Sequence, residues 1–102
     1  MNIDHRGLQQ TTLREVSDAK AFHVCRGDHI RTIHDMANCL THLSDEEFEY
    51  HVNEEQHDLA VWVHEVLQNP LLAHDLQLPE NVQNKEHCVK TIRDHVGWLE
   101  SI

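Results

Sequence analysis

Long apolar runs, signal sequences and paired cysteines are missing from this sequence. No stretch approaches the length of a membrane span, and MNIDHRGLQQ lacks the basic residues and apolar run that open a signal peptide. We therefore expect a cytoplasmic protein that does not associate with membranes. The three cysteines, Cys25, Cys39 and Cys88, form no CxxC pair, which argues against a disulfide framework and against a zinc ribbon. They are predicted to be buried, reduced thiols.

Sequence signatures of catalysis are missing as well. The chain has three glycines and no glycine-rich phosphate loop, no serine in a nucleophile elbow, and no carboxylate pair within an apolar segment. Catalytic groups that meet only in space would leave no such signature. The sequence thus leaves enzymatic activity open and favours a protein that is not an enzyme.

Lysine and arginine are missing from the centre of the chain. None lies between Arg31 and Lys85, whereas residues 32–84 carry eleven carboxylates and six histidines. The whole chain has 18 acidic and eight basic side chains, and its formal charge is −10. This charge opposes direct binding to nucleic acids and to anionic membranes. A basic protein partner is the electrostatically favoured one.

The central acids predict a docking function. We expect a small acidic interaction or regulatory domain that meets a basic protein partner. An alternative that uses the same electrostatics is an inhibitor that mimics the charge of a nucleic acid. The predicted interaction residues are Asp45, Glu46, Glu49, Glu54, Glu55 and Asp58.

The residues that are present predict a mainly α fold. A chain of 102 residues with 39% hydrophobic and 5% aromatic residues fits one domain with a lean aliphatic core. Alternating apolar and polar residues before a Gly-Asp turn predict a short β-hairpin over residues 21–30. Residues 1–20 keep no firm apolar period and are predicted to be a loose N-terminal arm. Residues 21–102 then form a single helical domain.

Capping residues and apolar spacing predict a small bundle of four to five helices. Each of three predicted helix starts pairs an N-cap acceptor with a polar residue three positions later. These pairs are Thr32 with Asp35, Ser44 with Glu47, and Asn53 with Gln56. The predicted helices cover residues 33–42, 45–52, 54–68, 70–77 and 80–100.

Eleven histidines raise the alternative of a metal-binding protein. The candidate ligands for zinc or another divalent transition metal are His51, His57 and His64, with a carboxylate or cysteine from another element. His57 and His64 share one helix face, but they lie about 10 Å apart along the axis, too far to hold one ion as HExxH does. His23 and His29 could face each other across the hairpin, and they too would need further ligands.

The segment around His51 is predicted to be a structural junction. Asn53 is expected to cap the third helix, and His51 to bond a neighbouring backbone group or carboxylate. Trp62 is expected to pack beneath them with its indole N–H satisfied. The residues assigned to this structural motif are Phe48, His51, Asn53, Asp58 and Trp62.

The same segment resembles a known family. The matching residues are Phe48, His51, Val52, Asn53, Asp58, Ala60, Trp62 and Val63. They fit the motif Phe-x-x-His-Val-Asn followed by Asp-x-Ala-x-Trp-Val, which is similar to that of an uncharacterised prokaryotic family of small helical domains of unknown function. The resemblance spans residues 22–77 and implies a helical domain without implying an activity. His57 and Leu59 depart from it, since the family has Asn and Phe there.

The histidine count predicts self-association in mild acid. Protonating all eleven histidines would move the formal charge from −10 to about +1 before the carboxylates titrate. Self-repulsion should fade between about pH 7 and pH 5.5, which favours a homodimer or larger assembly as the net charge nears zero. Sedimentation velocity across this range at fixed salt should show the increase in mass, and a monomer throughout would contradict the prediction.

Overall fold

The computed structural model describes residues 4–102, and this part of the chain is mainly helical. The predicted class, a helical domain with a small hairpin, is confirmed. The predicted number of four to five helices is too low, because the described residues form seven. In chain order they are α1 (His5–Leu13), α2 (Ile33–His42), α3 (Asp45–His51), α4 (Asp58–Glu65), α5 (Pro70–Leu76), α6 (Pro79–Gln83) and α7 (Lys85–Glu100).

The predicted hairpin consists of two short antiparallel strands. β1 (Phe22–His23) pairs with β2 (His29–Ile30), so that Phe22 lies opposite Ile30 and His23 lies opposite His29. Phe22 and Ile30 face the core, whereas both histidines are exposed, as the two-residue period of a strand requires. Gly27 takes a φ of 107° in the connecting turn, a conformation that disfavours any residue with a Cβ.

The N-terminal segment is not the loose arm that its weak period predicted. Asp4 caps α1 by accepting a hydrogen bond from the Arg6 N–H at 3.1 Å, and α1 packs against α2 and α7. Its buried face consists of Leu8 and the polar Thr12, a stripe too narrow to register as an apolar period. Gln9 also donates to the carbonyl oxygen of Leu99, at the end of α7. Residues 1–3 of the predicted arm lie outside the described residues.

The starts of α2 and α3 confirm the capping prediction. The Thr32 hydroxyl accepts from the Asp35 N–H at 3.0 Å. Ser44 and Glu47 form a reciprocal capping box, with bonds of 3.1 Å and 2.8 Å. These hydrogen bonds lower the pKa of the Glu47 carboxyl, and the bond from the Ser44 backbone N–H has the largest effect. Both helix starts are capped by side chains that bond residues three positions away.

The third predicted helix begins later than expected. The Asn53 side chain accepts from the backbone N–H groups of Glu55 and Gln56, but it closes a turn and starts no helix. This turn joins Val52 and His57, which form an isolated antiparallel bridge. Helix α4 therefore starts at Asp58, and the predicted N-cap at Asn53 is wrong.

The predicted helices 54–68 and 80–100 are also longer than the observed ones. Helix α4 ends at Glu65, and Gln68 follows with a left-handed φ of 55°. The last predicted helix is divided at Asn84, whose backbone is extended and whose side chain accepts from the His87 N–H. A side chain that caps a new helix competes with the continuation of the old one, so α6 and α7 are separate.

Asn69 is a buried polar residue that joins three helices. It caps α5 by accepting from the Leu72 N–H at 2.9 Å, which fixes the orientation of its amide. The amide nitrogen therefore donates to Thr12 Oγ1 of α1 at 3.0 Å and to His95 Nε2 of α7 at 2.9 Å. We call these four residues the Asn69 network. Because the Asn69 amide donates to Nε2 of His95, that nitrogen has to be an acceptor, so His95 is neutral with its proton on Nδ1.

One hydrophobic core runs from Val16 to Val96 and includes the facing sides of most helices. Cys39 and Cys88 are buried in it as predicted, and burial raises the pKa of the Cys88 thiol to about 12. Cys25 is exposed at the hairpin turn, which contradicts the prediction that all three thiols are buried. Among residues 4–102, every helix is too short or too polar to cross a bilayer.

Candidate functional site: an acidic cleft

An open cleft lies between α3 and the start of α7. One wall comes from α3 and the turn that follows it, and the other comes from α6, Asn84 and the first residues of α7. The cleft has a volume of about 990 Å³. The carboxylates that line it are Asp45, Glu46, Glu49, Glu54, Glu55 and Glu86.

The cleft is acidic because local helix chemistry places its carboxylates. Asp45 and Glu46 belong to the first turn of α3, and Glu86 belongs to the first turn of α7. The partial positive charge of a helix N-terminus favours acids there. Glu54 and Glu55 lie in the turn that Asn53 closes, so the turn that replaces the predicted helix brings them to the same cleft.

The cleft carboxylates have no basic partner within residues 4–102. None of the six takes part in a salt bridge. Lys85 is the one basic residue of the lining, and its Nζ donates at 2.5 Å to the carbonyl oxygen of Leu43. This leaves a concave surface with a strong excess of negative charge, and a concave shape concentrates the field of such charges.

The base and rim of the cleft are partly apolar. Phe48 and Val52 line it while belonging to the core, with exposed fractions of 5% and 1%. Tyr50 is 62% exposed and stands at the rim, with its ring edge-on to that of His51 at 5.0 Å. Because Phe48 and Val52 are almost fully buried, the accessible apolar contact of the cleft comes from the partly buried Val82 and the ring of Tyr50.

The structure brings together most of the predicted interaction residues. Five of the six, all except Asp58, line this one cleft. Asp58 instead accepts a hydrogen bond from His51 Nδ1 at 2.9 Å. The side of the cleft formed by Gln83, Asn84 and Glu86 was not predicted, because its residues lie about 30 positions further along the chain.

His51 is the centre of a structural junction. His51 is 4% exposed, and its Nε2 accepts from the Cys25 N–H at 3.0 Å while Nδ1–H donates to Asp58. The indole N–H of Trp62 donates to the carbonyl oxygen of Lys20 at 2.8 Å, and its ring packs edge-on against Phe22. Both ring nitrogens of His51 are thus used in joining the hairpin to α4.

His57 is the N-cap of α4. Its Nδ1 accepts from the Ala60 N–H at 3.1 Å, so Nε2 carries the proton and donates to the carbonyl oxygen of Leu76 at 2.6 Å. Burial lowers its pKa, against the opposing effects of the Leu76 carbonyl and of Asp58. Asparagine is the residue that the family resemblance led us to expect at this position, and it is itself among the best N-caps.

The three predicted metal ligands do not form a site. His51 and His57 have both ring nitrogens in hydrogen bonds, and His64 is exposed on α4. Across residues 4–102, no three or more His, Cys, Asp or Glu side chains are grouped so that they could hold a metal ion.

Comparison with known proteins does not identify a function for this chain. No family model, curated protein or solved structure matches it significantly. The resemblance of residues 22–77 to a family of helical domains therefore stays a prediction. The acidic cleft is the feature from which a function can be argued.

Proposed function

We propose that the protein is an interaction or regulatory domain that docks a basic segment of a protein partner in the acidic cleft. The observation that carries this proposal is the convergence of six carboxylates without a salt bridge on one concave surface. Outside the cleft, acids such as Asp28 and Asp94 have basic neighbours within the chain, and acids such as Asp35 and Glu80, which are unpaired among the described residues, do not line the cleft. The cleft acids lack such neighbours and are free to meet charges from outside.

The lining fits arginine and lysine side chains of a partner. Such side chains have aliphatic stems, which can lie against the partly buried Val82, and charged ends, which can reach the carboxylates. Tyr50 adds an exposed ring over which a guanidinium can stack. A segment with several basic residues fits the length of the carboxylate array better than a single cation does.

The strength of this docking should depend on the number of ion pairs. An exposed ion pair contributes about 0.2–1 kcal/mol, so useful affinity requires several of them together. Interactions of this kind weaken as salt shortens the Debye length. Long-range attraction should also accelerate encounter with the partner.

Two variants with the same net charge test the location of the docking surface. The cleft variant carries Glu46→Gln, Glu49→Gln, Glu54→Gln and Glu55→Gln. The control variant carries Asp35→Asn, Glu65→Gln, Glu80→Gln and Glu100→Gln, four exposed acids outside the cleft. Binding of a fluorescent oligo-arginine peptide is measured by anisotropy at low and at high salt.

We expect the cleft variant to bind the peptide at least about tenfold more weakly than the control variant at low salt, since four ion pairs are lost. High salt should weaken binding by the unmodified protein and reduce the difference between the variants. Equal weakening in the two variants would mean that net charge alone attracts the peptide. Binding that is indifferent to salt would contradict electrostatic docking altogether.

A further inference from the structure

The exposed face of the hairpin carries a pair of stacked histidines. His23 and His29 lie directly opposite each other in the strand register. Their ring centroids are 4.3 Å apart and their planes differ by 12°. Both side chains are exposed, and neither ring forms a hydrogen bond or salt bridge within the described part of the chain.

We propose that His23 and His29 together bind one divalent transition-metal ion through one ring nitrogen each. Metal–imidazole bonds are about 2.0–2.1 Å long, so two nitrogens on one ion lie about 3.3 Å apart in a tetrahedral arrangement. The 4.3 Å between the ring centroids shows that the hairpin holds the two imidazoles side by side. The nitrogen lone pairs of stacked rings lie in nearly parallel planes, so both side chains must rotate to direct one nitrogen each at the ion. Neither ring has a hydrogen bond within the described residues that opposes this rotation. Exposure of both rings gives the ion direct access from solvent.

The turn between the strands supplies no further ligand in the observed conformation. The Asp28 carboxylate is held by the Arg26 guanidinium at 2.9 Å, and no grouping of three ligands is present in the described residues. Water therefore completes the coordination. A site with two imidazoles should follow the general order of affinities for nitrogen ligands, with copper(II) tighter than nickel(II) or zinc(II).

The hairpin provides the pre-organisation that a pair of distant surface histidines lacks. Its backbone holds the second imidazole close to the first, so binding of the second nitrogen is intramolecular and has a high effective concentration. An exposed histidine on a helix, such as His74 on α5, has no such pairing within the described chain and serves as a single-imidazole control. Protons compete for the same nitrogens, so affinity should fall as pH is lowered.

Calorimetric titration with nickel chloride at about pH 7.5 tests the pair. The full chain is used, and it is purified without a histidine tag. His23→Ala and His29→Ala should each weaken the tightest nickel site at least about tenfold, because each removes the chelate. The double variant should be no weaker than either single variant. His74→Ala, the control, should leave the tightest site unchanged.

Independent sites would give a different pattern. Single variants that match the unmodified protein, an equal loss in His74→Ala, or additive losses in the double variant would each overturn the proposal. A second measurement needs no variant. Paramagnetic nickel should broaden the imidazole NMR signals of His23 and His29 first, and equal broadening of all histidine signals would also overturn it.

Discussion

Replacing Asn69 with alanine should lower the free energy of unfolding by about 3–4 kcal/mol. The substitution removes the cap of α5 and leaves the Leu72 N–H without its acceptor. It also leaves Thr12 and His95 without the amide that donates to them, at a position with 0% exposure. Buried polar groups that lose their partners cost more than exposed ones, because water cannot replace the partner. Urea denaturation followed by circular dichroism measures the change.

Asn84 provides a matched control for this prediction. It too is an asparagine N-cap, and its side chain accepts from the His87 N–H at 3.0 Å, but it is exposed. Asn84→Ala should therefore cost only the cap, about 1 kcal/mol. If the two substitutions cost the same, the bonds from Asn69 to α1 and α7 contribute nothing beyond capping. Thr12→Val should fall between them, since it removes one acceptor and keeps the shape.

Lowering the pH from about 7.5 to about 5 should destabilise the fold before any carboxylate titrates. Burial lowers the pKa of both His57 and His95, and the opposing effects, those of the Leu76 carbonyl and Asp58 on the first and of Asp75 on the second, are smaller. In the unfolded chain these histidines regain their ordinary pKa near 6.5, so the unfolded state binds more protons. The stability that these neutral histidines contribute is therefore complete above about pH 6.5. It is lost as the pH falls from about 6.5 to the pKa of each histidine in the folded protein. The free energy of unfolding falls by at most about 1.4 kcal/mol per pH unit for each histidine.

Substitutions at the two histidines test the source of this slope. His95→Gln keeps an acceptor for the Asn69 amide, and His57→Asn keeps an N-cap for α4. Each variant should reduce the dependence of the unfolding free energy on pH between about 5 and 7. His64→Gln, at an exposed position on α4, should leave the dependence unchanged. A stability that rises as the pH falls would show that the sign is wrong and that other groups dominate.

Predictions from local residues succeeded where the interaction spans only a few positions. The caps at Thr32 and Ser44 join residues three apart, and the Gly27 turn joins adjacent strands, so nearby chemistry is sufficient. The same reasoning failed at Asn53, where the cap-like side chain closes a turn instead. The Val52 and His57 bridge and the contact of His57 with Leu76 favour that turn, and neither is visible in the capping pattern.

The candidate site was likewise predicted only in part from the sequence. The missing lysines and arginines of residues 32–84 identified the acids, and five of the six predicted positions lie in the cleft. Asp58 is absent from the cleft because it accepts from His51, at the end of α3. The junction prediction expected His51 to bond a neighbouring backbone group or carboxylate, but only the fold shows that this carboxylate is Asp58. The histidine count led to His51, His57 and His64 as metal ligands, which do not form a site among the described residues, whereas the hairpin pattern correctly suggested that His23 and His29 face each other.

The sequence by itself determined the helical class, the hairpin, two of the helix caps and the acidity of the central region, because composition and bonds over three or four residues act in any fold. The tertiary structure alone decided that residues 5–13 form a helix, since its narrow buried face is stabilised by contacts with α2 and α7. It also decided the role of Asn69, whose bond to Thr12 joins residues 57 positions apart. The cleft has the same origin: its two walls are distant in the chain, and only the packing of the helices brings their carboxylates to one surface.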